Sequence, residues 1–307
     1  MGACWATNAL AAACARARSG CTLARVRMTP TRGATALEVQ AHYDAGDAFY
    51  DLWLDPDRVY SAAMWSPGLD LAAAQQAKLA WHVQEAAVVP GSQVLDIGCG
   101  WGAFLERAVR VAGAASAVGL TLSPSQAAAA RARGVPGLEV REESWDAHNG
   151  TGYDAVVSVG ALEHFVRPEF EPEQRLAVYR AFFQACHAAL RPGGRLSLQT
   201  IAYADFPGGK LDPFITQQIF PGSDLPRLSE LAEAHLGTFR LVRMRNDPQD
   251  YAKTCTVWAE RLASRRAEAE AQVGPERVAS FLRYLKMSAA GFRAGALDLL
   301  RLTFERR

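Results

Sequence analysis

Short apolar runs alternate with amphipathic stretches through the middle of the chain. Tyr153–Gly160 is a nearly continuous apolar run of strand length, as expected for a strand buried on both faces. Leu176, Tyr179 and Phe183 follow at helical spacing, before a stop at Arg191–Gly194. This alternation of strands and helices predicts an α/β fold with a parallel, doubly wound sheet.

The same pattern gives approximate bounds for each element. The predicted strands cover residues 93–98, 116–122, 138–143, 153–160 and 195–201. The predicted helices cover residues 69–88, 101–112, 124–133 and 176–190. The C-terminal third is predicted to be mostly helical, with apolar faces.

A glycine-rich turn follows the first predicted strand. Because Gly98, Gly100 and Gly102 lack a Cβ, the turn can be tight and its N–H groups can approach a ligand. Asp96 supplies a carboxylate at the strand end. The alternative is an ordinary strand-to-helix turn with no ligand, because this spacing is weak evidence by itself.

The other strand ends add candidates at the same edge of the sheet. A dinucleotide site would have Asp or Glu about 20 residues after the turn, whereas this chain has Thr121 and Leu122. Gln126 either contacts the ligand or completes a capping box with Ser123. Further candidates follow the third and fourth predicted strands: Trp145, Asp146 and Val159–His164. For Trp145 the alternative is packing in the core.

Composition excludes several classes of protein. A chain of 307 residues, 50% hydrophobic, can bury one large core, and no apolar run has the length of a membrane span. A net charge of +1 argues against nucleic-acid binding. The six cysteines form no C-x-x-C pair, which favours a reducing compartment and no structural metal.

The first 37 residues form a separate segment. They contain arginines and alanines but no Asp or Glu, a composition typical of an organelle transit peptide. Two other interpretations remain open: a true start at Met28, or a disordered tail. All three interpretations place residues 1–37 outside the fold. The expected location of the protein is the cytoplasm or, if the segment is a transit peptide, a plastid or mitochondrion.

Three motifs together resemble the cyclopropane-fatty-acid and mycolic acid cyclopropane synthases, which use S-adenosylmethionine. These motifs are Leu95–Gly102, Gly119–Ser123 and Gly160–Phe165. Further matches precede and follow them: His42-Tyr43-Asp44, Phe49-Tyr50, Leu54-Asp55-Pro56, Tyr60-Ser61, Ile219–Gly222, Leu225-Pro226, Asp250-Tyr251, Thr254 and Trp258. The resemblance extends from about residue 38 to the C-terminus.

The resemblance implies a seven-stranded class I methyltransferase with helical lids. The implied divisions are an N-terminal lid over 38–90, a cofactor-binding core over 91–202, and a substrate lid with C-terminal helices over 203–307. Residues 202–211 are expected to form part of the lid. The residues implied to contact S-adenosylmethionine are Tyr60, Ser61, Asp96, Gly98, Gly100, Thr121, Leu122, Gln126, Trp145 and Asp146.

The implied chemistry centres on Glu163, an acid at the end of a buried strand, where a carboxylate is costly without a partner. It would stabilise a carbocation when the acceptor is an alkene. His164 would orient Glu163, take a proton or cap the following turn. The remaining candidate catalytic residues are Tyr251 and Gln199.

Two positions depart from the family pattern. The resemblance implies a bicarbonate held by a Cys, the Glu, a His and a Tyr, whereas Ala62 and Gln199 replace the Cys and the His. Ala cannot donate a hydrogen bond, and Gln carries no charge. Bicarbonate binding, and ring closure that depends on it, are therefore doubtful.

Three functions stay open at this point. The first is transfer of a methyl or methylene carbon to a hydrophobic, unsaturated lipid or acyl substrate. The second is small-molecule N-, O- or C-methylation, because plant benzylisoquinoline N-methyltransferases resemble the same scaffold and share a Glu-His pair. The third is a non-catalytic protein that binds the cofactor.

Basic residues accompany the expected closing helices near Tyr284 and Phe292. They would either approach an anionic membrane surface or an acyl carrier, or form an ordinary solvated face. These residues are Arg283, Lys286, Arg293, Arg301, Arg306 and Arg307.

Overall fold

The centre of the molecule is one twisted sheet. The computed structural model describes residues 33–43, 45–204 and 212–307. The strands are β1 Gln93–Ile97, β2 Ser116–Leu120, β3 Leu138–Arg141, β4 Tyr153–Val159, β5 Leu190–Tyr203, β6 Phe239–Asn246 and β7 Leu297–Arg306. They form a seven-stranded sheet in the order β3-β2-β1-β4-β5-β7-β6. Only β7 runs antiparallel to its neighbours, so the predicted doubly wound, mostly parallel sheet is confirmed.

Helices lie on both faces of the sheet and beyond its carboxyl edge. They are α1 Ala36–Tyr43, α2 Asp47–Asp51, α3 Leu71–Glu85, α4 Ala103–Arg110, α5 Pro124–Ala132, α6 Pro172–Ala189, α7 Leu228–Ala234, α8 Pro248–Ser264, α9 Arg266–Val273 and α10 Pro275–Arg293. The four helices predicted from the sequence are present as α3, α4, α5 and α6. Their ends differ from prediction by a few residues, the usual uncertainty at helix termini.

Three apolar clusters hold these layers together. One packs α3, α4 and α5 on one face of the sheet, around residues such as Phe104 and Leu105. A second packs α6 and α7 on the other face, around residues such as Phe182 and Leu231. The third joins the N-terminal segment to α8 and α10 through Trp53, which lies 5.7 Å from Trp258 between ring centroids. This third cluster forms the lid beyond the strand ends.

The strand order reverses at β1, which pairs with β2 on one side and β4 on the other. In open α/β sheets, ligands bind outside the carboxyl ends of the strands at this reversal. The predicted glycine turn and the predicted acid therefore belong to adjacent strands at that point.

The C-terminal third contributes to the sheet as well as to the lid. The expected closing helix is present as α10, but the prediction of a mostly helical third missed β6 and β7. In β7, Leu300, Leu302 and Phe304 pack in one apolar cluster, which is strand periodicity that the sequence already carried. The sheet therefore spans the predicted boundary at residue 203.

The fold also begins earlier than predicted. The backbone N–H of Ala34 donates to the carbonyl of His164 at 2.9 Å, and a Cβ on Gly33 would lie 2.2 Å from that same oxygen. Gly33 and Ala34 are therefore buried against the core, contrary to their assignment to the extension, whereas residues 35–37 are exposed. The transit segment through residue 32, Met28, Asp44 and the lid residues 205–211 lie outside the described residues.

One predicted surface cation is misplaced. The side chain of Arg301 is fully buried and pairs with Asp247 at 2.5 Å and Asp250 at 3.1 Å. Arg283, Lys286, Arg293 and Arg307 are exposed, as expected, and Arg306 is half-buried. Within the described ranges, the helices are all too short or too polar to cross a bilayer.

Candidate active site

The glycine turn after β1 has two distinct requirements. Gly98 has φ +84°, and a Cβ there would lie 2.6 Å from the Cβ of Ala161. Gly100 has φ +53°, and a Cβ there would meet nothing within 4 Å. Packing therefore restricts position 98, whereas position 100 stands beside open space.

That space is the first cavity, at the carboxyl ends of β1, β2 and β4. It encloses about 1020 Å³, counting space open to solvent. The predicted cofactor residues that line it are Tyr60, Ser61, Asp96, Gly98, Gly100, Thr121, Leu122, Gln126 and Trp145. Asp146 is exposed and lies outside this lining.

Gln126 belongs to the cavity rather than to the predicted capping box. Ser123 does cap α5, because its Oγ accepts from the N–H of Gln126 at 3.3 Å. The N–H of Ser123, however, donates to Thr121 Oγ1 at 3.2 Å instead of to Gln126. Thr121 Oγ1 donates to Gln126 Oε1 at 3.0 Å, which leaves the Gln126 amide group to face the cavity.

Trp145 combines the two roles that the sequence left open. Its ring lies 5.2 Å from Phe165 and 5.7 Å from Phe182, between ring centroids. It also lines the first cavity. One edge of the cavity is therefore an aromatic surface supported by the core.

Two buried charged groups line the first cavity. Burial raises the pKa of Asp96 to about 7, and its carboxylate has no hydrogen-bond partner among the described residues. Burial lowers the pKa of Lys78 to about 7, and its Nζ donates to Ser61 Oγ at 2.9 Å. Sequence reasoning found Asp96 and missed Lys78.

A second cavity adjoins the first and encloses about 790 Å³, counting open solvent. The two cavities share four lining residues: Tyr43, Tyr60, Gly160 and His164. Aromatic rings of Phe220, Tyr251, Tyr284 and Phe292 line much of the second cavity. A group bound in one cavity would therefore lie next to a group bound in the other.

Glu163 lines the second cavity from a 3₁₀ turn, Leu162–His164, that follows β4. The backbone N–H of Ile201 donates to its Oε1 at 2.6 Å. Its Oε2 is buried and has no partner. Burial raises the pKa of Glu163 to about 7, although the Ile201 hydrogen bond opposes that shift. The predicted acid is thus held by one oxygen, with the other unpaired.

His164 does not orient Glu163 through a hydrogen bond. Its Nδ1 pairs with Ser223 Oγ at 2.8 Å. Burial lowers the pKa of His164 to about 4, so the ring is neutral at pH 7. The N–H of Ile201 instead donates to Glu163, which is one of the three roles that the sequence left open for His164.

Tyr251 reaches the second cavity from α8, as predicted for a site residue. Its ring stacks on Phe292 with centroids 4.8 Å apart. Burial raises the pKa of its hydroxyl well above the usual value, so Tyr251 stays protonated. It therefore offers a neutral hydroxyl and an aromatic face.

Gln199 is not brought to either cavity. Its side chain is 1% exposed and lies outside both linings. The amide oxygen accepts from Arg301 Nε at 2.9 Å, and the amide nitrogen donates to the carbonyl of Ala62 at 3.5 Å. The structure thus gives Gln199 a buried linking position, in contrast to the predicted catalytic one.

Several cavity residues were not predicted as site residues. They are Tyr43, Lys78, Ser223, Asp224, Cys255 and Tyr284. Tyr60 and Tyr284 share a hydrogen bond, which links the N-terminal segment to α10 across the cavity wall. A contact between such distant segments has no local sequence signal.

Comparison with known proteins identifies the family. The model for the mycolic acid cyclopropane synthetase family matches residues 31–302. The chain belongs to this family. The resemblance inferred from the motifs is therefore confirmed, and it covers nearly the whole described chain.

Relatives and solved structures agree with this family assignment. Cyclopropane mycolic acid synthase 1 of Mycobacterium tuberculosis (strain ATCC 25177 / H37Ra) is 32% identical over 287 residues, or 87% of this chain and 96% of that protein. The cyclopropane synthase MmaA2 from Mycobacterium tuberculosis has a TM-score of 0.82 at 33% identity, covering 89% of this chain and 99% of that chain. Mycolic acid cyclopropane synthase CmaA1, complexed with SAH and CTAB, has a TM-score of 0.80 at 31% identity with the same coverage.

This family member is an S-adenosylmethionine-dependent one-carbon transferase. The first cavity fits that cofactor: it combines an open backbone turn at Gly100, a buried carboxylate at Asp96 and an aromatic edge at Trp145. The match to the synthase family supports an enzyme over the non-catalytic interpretation.

Proposed function

We propose that this enzyme transfers the methyl carbon of S-adenosylmethionine to the carbon–carbon double bond of a hydrophobic acyl or lipid substrate. The observation that carries this proposal is the buried, unpartnered Oε2 of Glu163 in the second cavity. An isolated carboxylate oxygen in an apolar site is costly unless a positive group meets it. Positive charge on an acceptor carbon is such a group.

The joined cavities support transfer between two bound molecules. When bound, the cofactor supplies an electrophilic methyl group on a positively charged sulfur. Tyr60, Gly160 and His164 line both cavities, so they would form the boundary across which donor and acceptor are aligned. Such alignment contributes roughly 7–11 kcal/mol to lowering a barrier.

The walls of the second cavity suit an apolar chain. The rings of Phe220, Tyr284 and Phe292 contribute large apolar surfaces. With a chain bound, these walls would exclude water, which would otherwise compete with the alkene and screen the charge of Glu163. A hydrophobic acyl chain is therefore the acceptor class that this surface favours.

Glu163 has the placement that alkene methylation needs. Addition of a methyl group to an alkene leaves positive charge on the neighbouring acceptor carbon. A carboxylate about 4 Å away stabilises such a charge by roughly 4 kcal/mol at an effective dielectric constant near 20. The faces of Tyr251 and Tyr284 would add cation–π stabilisation. The raised pKa of about 7 also suits Glu163 to accept a proton afterwards from a chain carbon next to the charged one, which leaves a methyl-branched alkene with the transferred methyl group intact.

Methylation of a hydrophobic amine is the second candidate. The same observation favours it, because a carboxylate surrounded by aromatic rings is also typical of ammonium-binding sites. In that reaction Glu163 would take the amine proton as a general base. No double bond would be required.

An acceptor panel separates these two candidates. The purified enzyme would be supplied with methyl-labelled cofactor and a phospholipid carrying one double bond per chain, its saturated counterpart, or a hydrophobic secondary amine. We expect label in the unsaturated lipid alone. Label in the amine alone would overturn the proposal in favour of the second candidate.

A further inference from the structure

Arg175 of α6 is a mostly buried cation that lies outside the lining of both cavities. Its side chain is 11% exposed and pairs with Asp224 Oδ2 at 2.5 Å and with Glu230 Oε1 at 2.7 Å. It also donates to the carbonyl of Leu225 at 2.7 Å. A guanidinium group holds several acceptors at once in one fixed geometry. Arg175 therefore fixes the segment that contains Asp224 against α6.

The carboxylate of Asp224 is held from a second side as well. Its Oδ1 accepts from the hydroxyl of Tyr203, the last residue of β5, at 2.5 Å. Hydrogen bonds to a charged group are the strong ones in proteins. Asp224 lines the second cavity, but both of its carboxylate oxygens already accept from the protein. The carboxylate thus anchors Asp224, and the backbone of Asp224 is left to act on the site.

That backbone holds the 3₁₀ turn after β4. The N–H of Asp224 donates to the carbonyls of Glu163 and Val166, each at 3.1 Å. The preceding residue, Ser223, uses its Oγ to pair with His164 Nδ1 at 2.8 Å. Two consecutive residues thus grip the turn that presents Glu163 to the second cavity.

The direction of the Glu163 carboxylate depends on where this turn lies relative to β5. The N–H of Ile201 holds Oε1 at 2.6 Å, and the buried Oε2 has no partner. Ile201 and Tyr203 belong to the same strand, so β5 holds the carboxylate directly and Asp224 from its far end. A shift of the turn would move the unpaired oxygen. A displacement of about 1 Å in a reacting group can cost roughly a hundredfold in rate.

We infer that Arg175 is a positioning residue for the one-carbon transfer: it fixes Asp224, and through the backbone of Asp224 it holds the turn that aims Glu163 into the second cavity. The inference rests on the role of Glu163 in the proposed function. It is independent of which acceptor is methylated, because both candidate reactions use the Glu163 carboxylate.

Amide hydrogen exchange without ligand tests the holding step. Arg175→Met should speed exchange in peptides covering 160–166 and 222–226 by roughly threefold to tenfold. The matched control is Arg180→Met, which removes an exposed arginine that pairs α6 with Glu233 of α7 at 2.6 Å. The control should leave both peptides unchanged. Unchanged exchange in Arg175→Met, or equal acceleration in the control, would overturn the inference.

Turnover tests the link to Glu163, measured with the monounsaturated phospholipid or with the secondary amine, whichever takes label. Arg175→Met should lower turnover roughly tenfold to a hundredfold. Affinity for S-adenosylmethionine by calorimetry should change little, since Arg175 does not line the first cavity. When Glu163 is already replaced in Glu163→Gln, adding Arg175→Met should lower turnover little further, because both changes act on one carboxylate.

The outcomes separate this inference from the proposed function. Losses that multiply in the double variant would overturn the inference, because a general structural effect adds to the loss of Glu163. Normal turnover in Arg175→Met beside slow turnover in Glu163→Gln would overturn the inference alone. Normal turnover in Glu163→Gln would overturn the proposed role of Glu163 and this inference with it.

Tyr203→Phe gives a second, milder perturbation if Arg175→Met fails to fold. Removing Arg175 leaves two acids without their cation, which is costly in a mostly buried place. Tyr203→Phe removes one donor to Asp224 and changes no charge. It should speed exchange in the same two peptides by a smaller factor. Unchanged exchange in Tyr203→Phe would overturn the holding role of Asp224.

Discussion

Arg301 and Gln199 occupy paired positions on β7 and β5, and Arg301 Nε donates to Gln199 Oε1 at 2.9 Å. Arg301 also donates to the carbonyl of Ala63 at 2.9 Å. Both side chains are buried away from the cavities. This pair therefore links two strands to the segment that carries Ser61, at a position where the family resemblance implies an anion ligand.

The first prediction concerns bicarbonate. Because the amide of Gln199 is used by Arg301 and the carbonyl of Ala62, and Ala62 has no polar side-chain atom, we expect no bicarbonate-dependent ring closure. Turnover in bicarbonate-depleted buffer should equal turnover with bicarbonate added. With a trideuteromethyl cofactor, the product should keep all its deuterium. A bicarbonate-dependent product that has lost one deuterium would contradict this expectation.

The second prediction concerns the unpartnered acid. Glu163→Gln removes the negative charge but keeps the shape of the side chain, so we expect turnover to fall about a hundredfold to a thousandfold. Affinity for the cofactor should change little, because Glu163 lines the second cavity alone. Glu169→Gln, an exposed acid near the same turn, is the control. Normal turnover in Glu163→Gln would remove this residue from the chemistry.

The third prediction concerns stability against pH. Burial raises the pKa of Glu163 and of Asp96 to about 7 in the folded protein, from values near 4. At these two carboxyls the folded state therefore holds more protons than the unfolded state between these values, and their contribution to stability without ligand falls as the pH rises from about 4 to about 7. The lowered pKa values of His164 and Lys78 contribute with the opposite sign. The stabilising contribution of each carboxyl is complete at a pH below the pKa that it has in the unfolded chain.

Glu163→Gln removes one of these two titrations. Thermal melts without ligand at pH 5 and pH 8 would measure the pH-dependent part of its effect, which should favour the variant by up to roughly 3 kcal/mol at the higher pH. Any effect of the substitution on packing is the same at both pH values, so it cancels when the two differences in stability are subtracted. The same pH dependence of stability in the variant and the wild type would show that Glu163 does not titrate in this range.

The fourth prediction separates the two key glycines. Gly98→Ala should destabilise the fold, because the added Cβ would meet Ala161 at 2.6 Å. Gly100→Val should instead abolish cofactor binding, because its side chain would occupy the cavity. Calorimetry and thermal melts on both variants would distinguish these effects.

Gly134→Val is the matched control for backbone strain. It has φ +59°, close to that of Gly100, and also no atom within 4 Å of an added Cβ, but it lies outside both cavities. A non-glycine residue in this conformation costs roughly 1–2 kcal/mol. Equal loss of cofactor binding in both variants would mean that strain, and not obstruction, is the cause.

Local signals in the sequence were sufficient for the core of the site. The apolar strand before Gly98 is confirmed as β1, and Glu163 lies in the turn after β4 as predicted, because strand ends of a parallel sheet meet at one edge. Gln126 had two open roles, and only its partner Thr121, five positions earlier, shows that the side chain faces the cavity.

Long-range packing explains what the sequence did not reveal. Arg301 was expected on the surface, since nothing near it in sequence indicates that Gln199 and two acids surround it. Lys78 is on a helix whose other polar residues give no sign that its ammonium reaches Ser61. Both roles depend on contacts between segments more than ten residues apart.

The position of transferred carbon tests the central claim most directly. The enzyme would be incubated with trideuteromethyl-labelled cofactor and a phospholipid with monounsaturated chains, and the product would be fragmented by mass spectrometry. We predict deuterium on a carbon of the former double bond, and none with saturated chains. Deuterium on the head group, or equal labelling of saturated chains, would contradict the account.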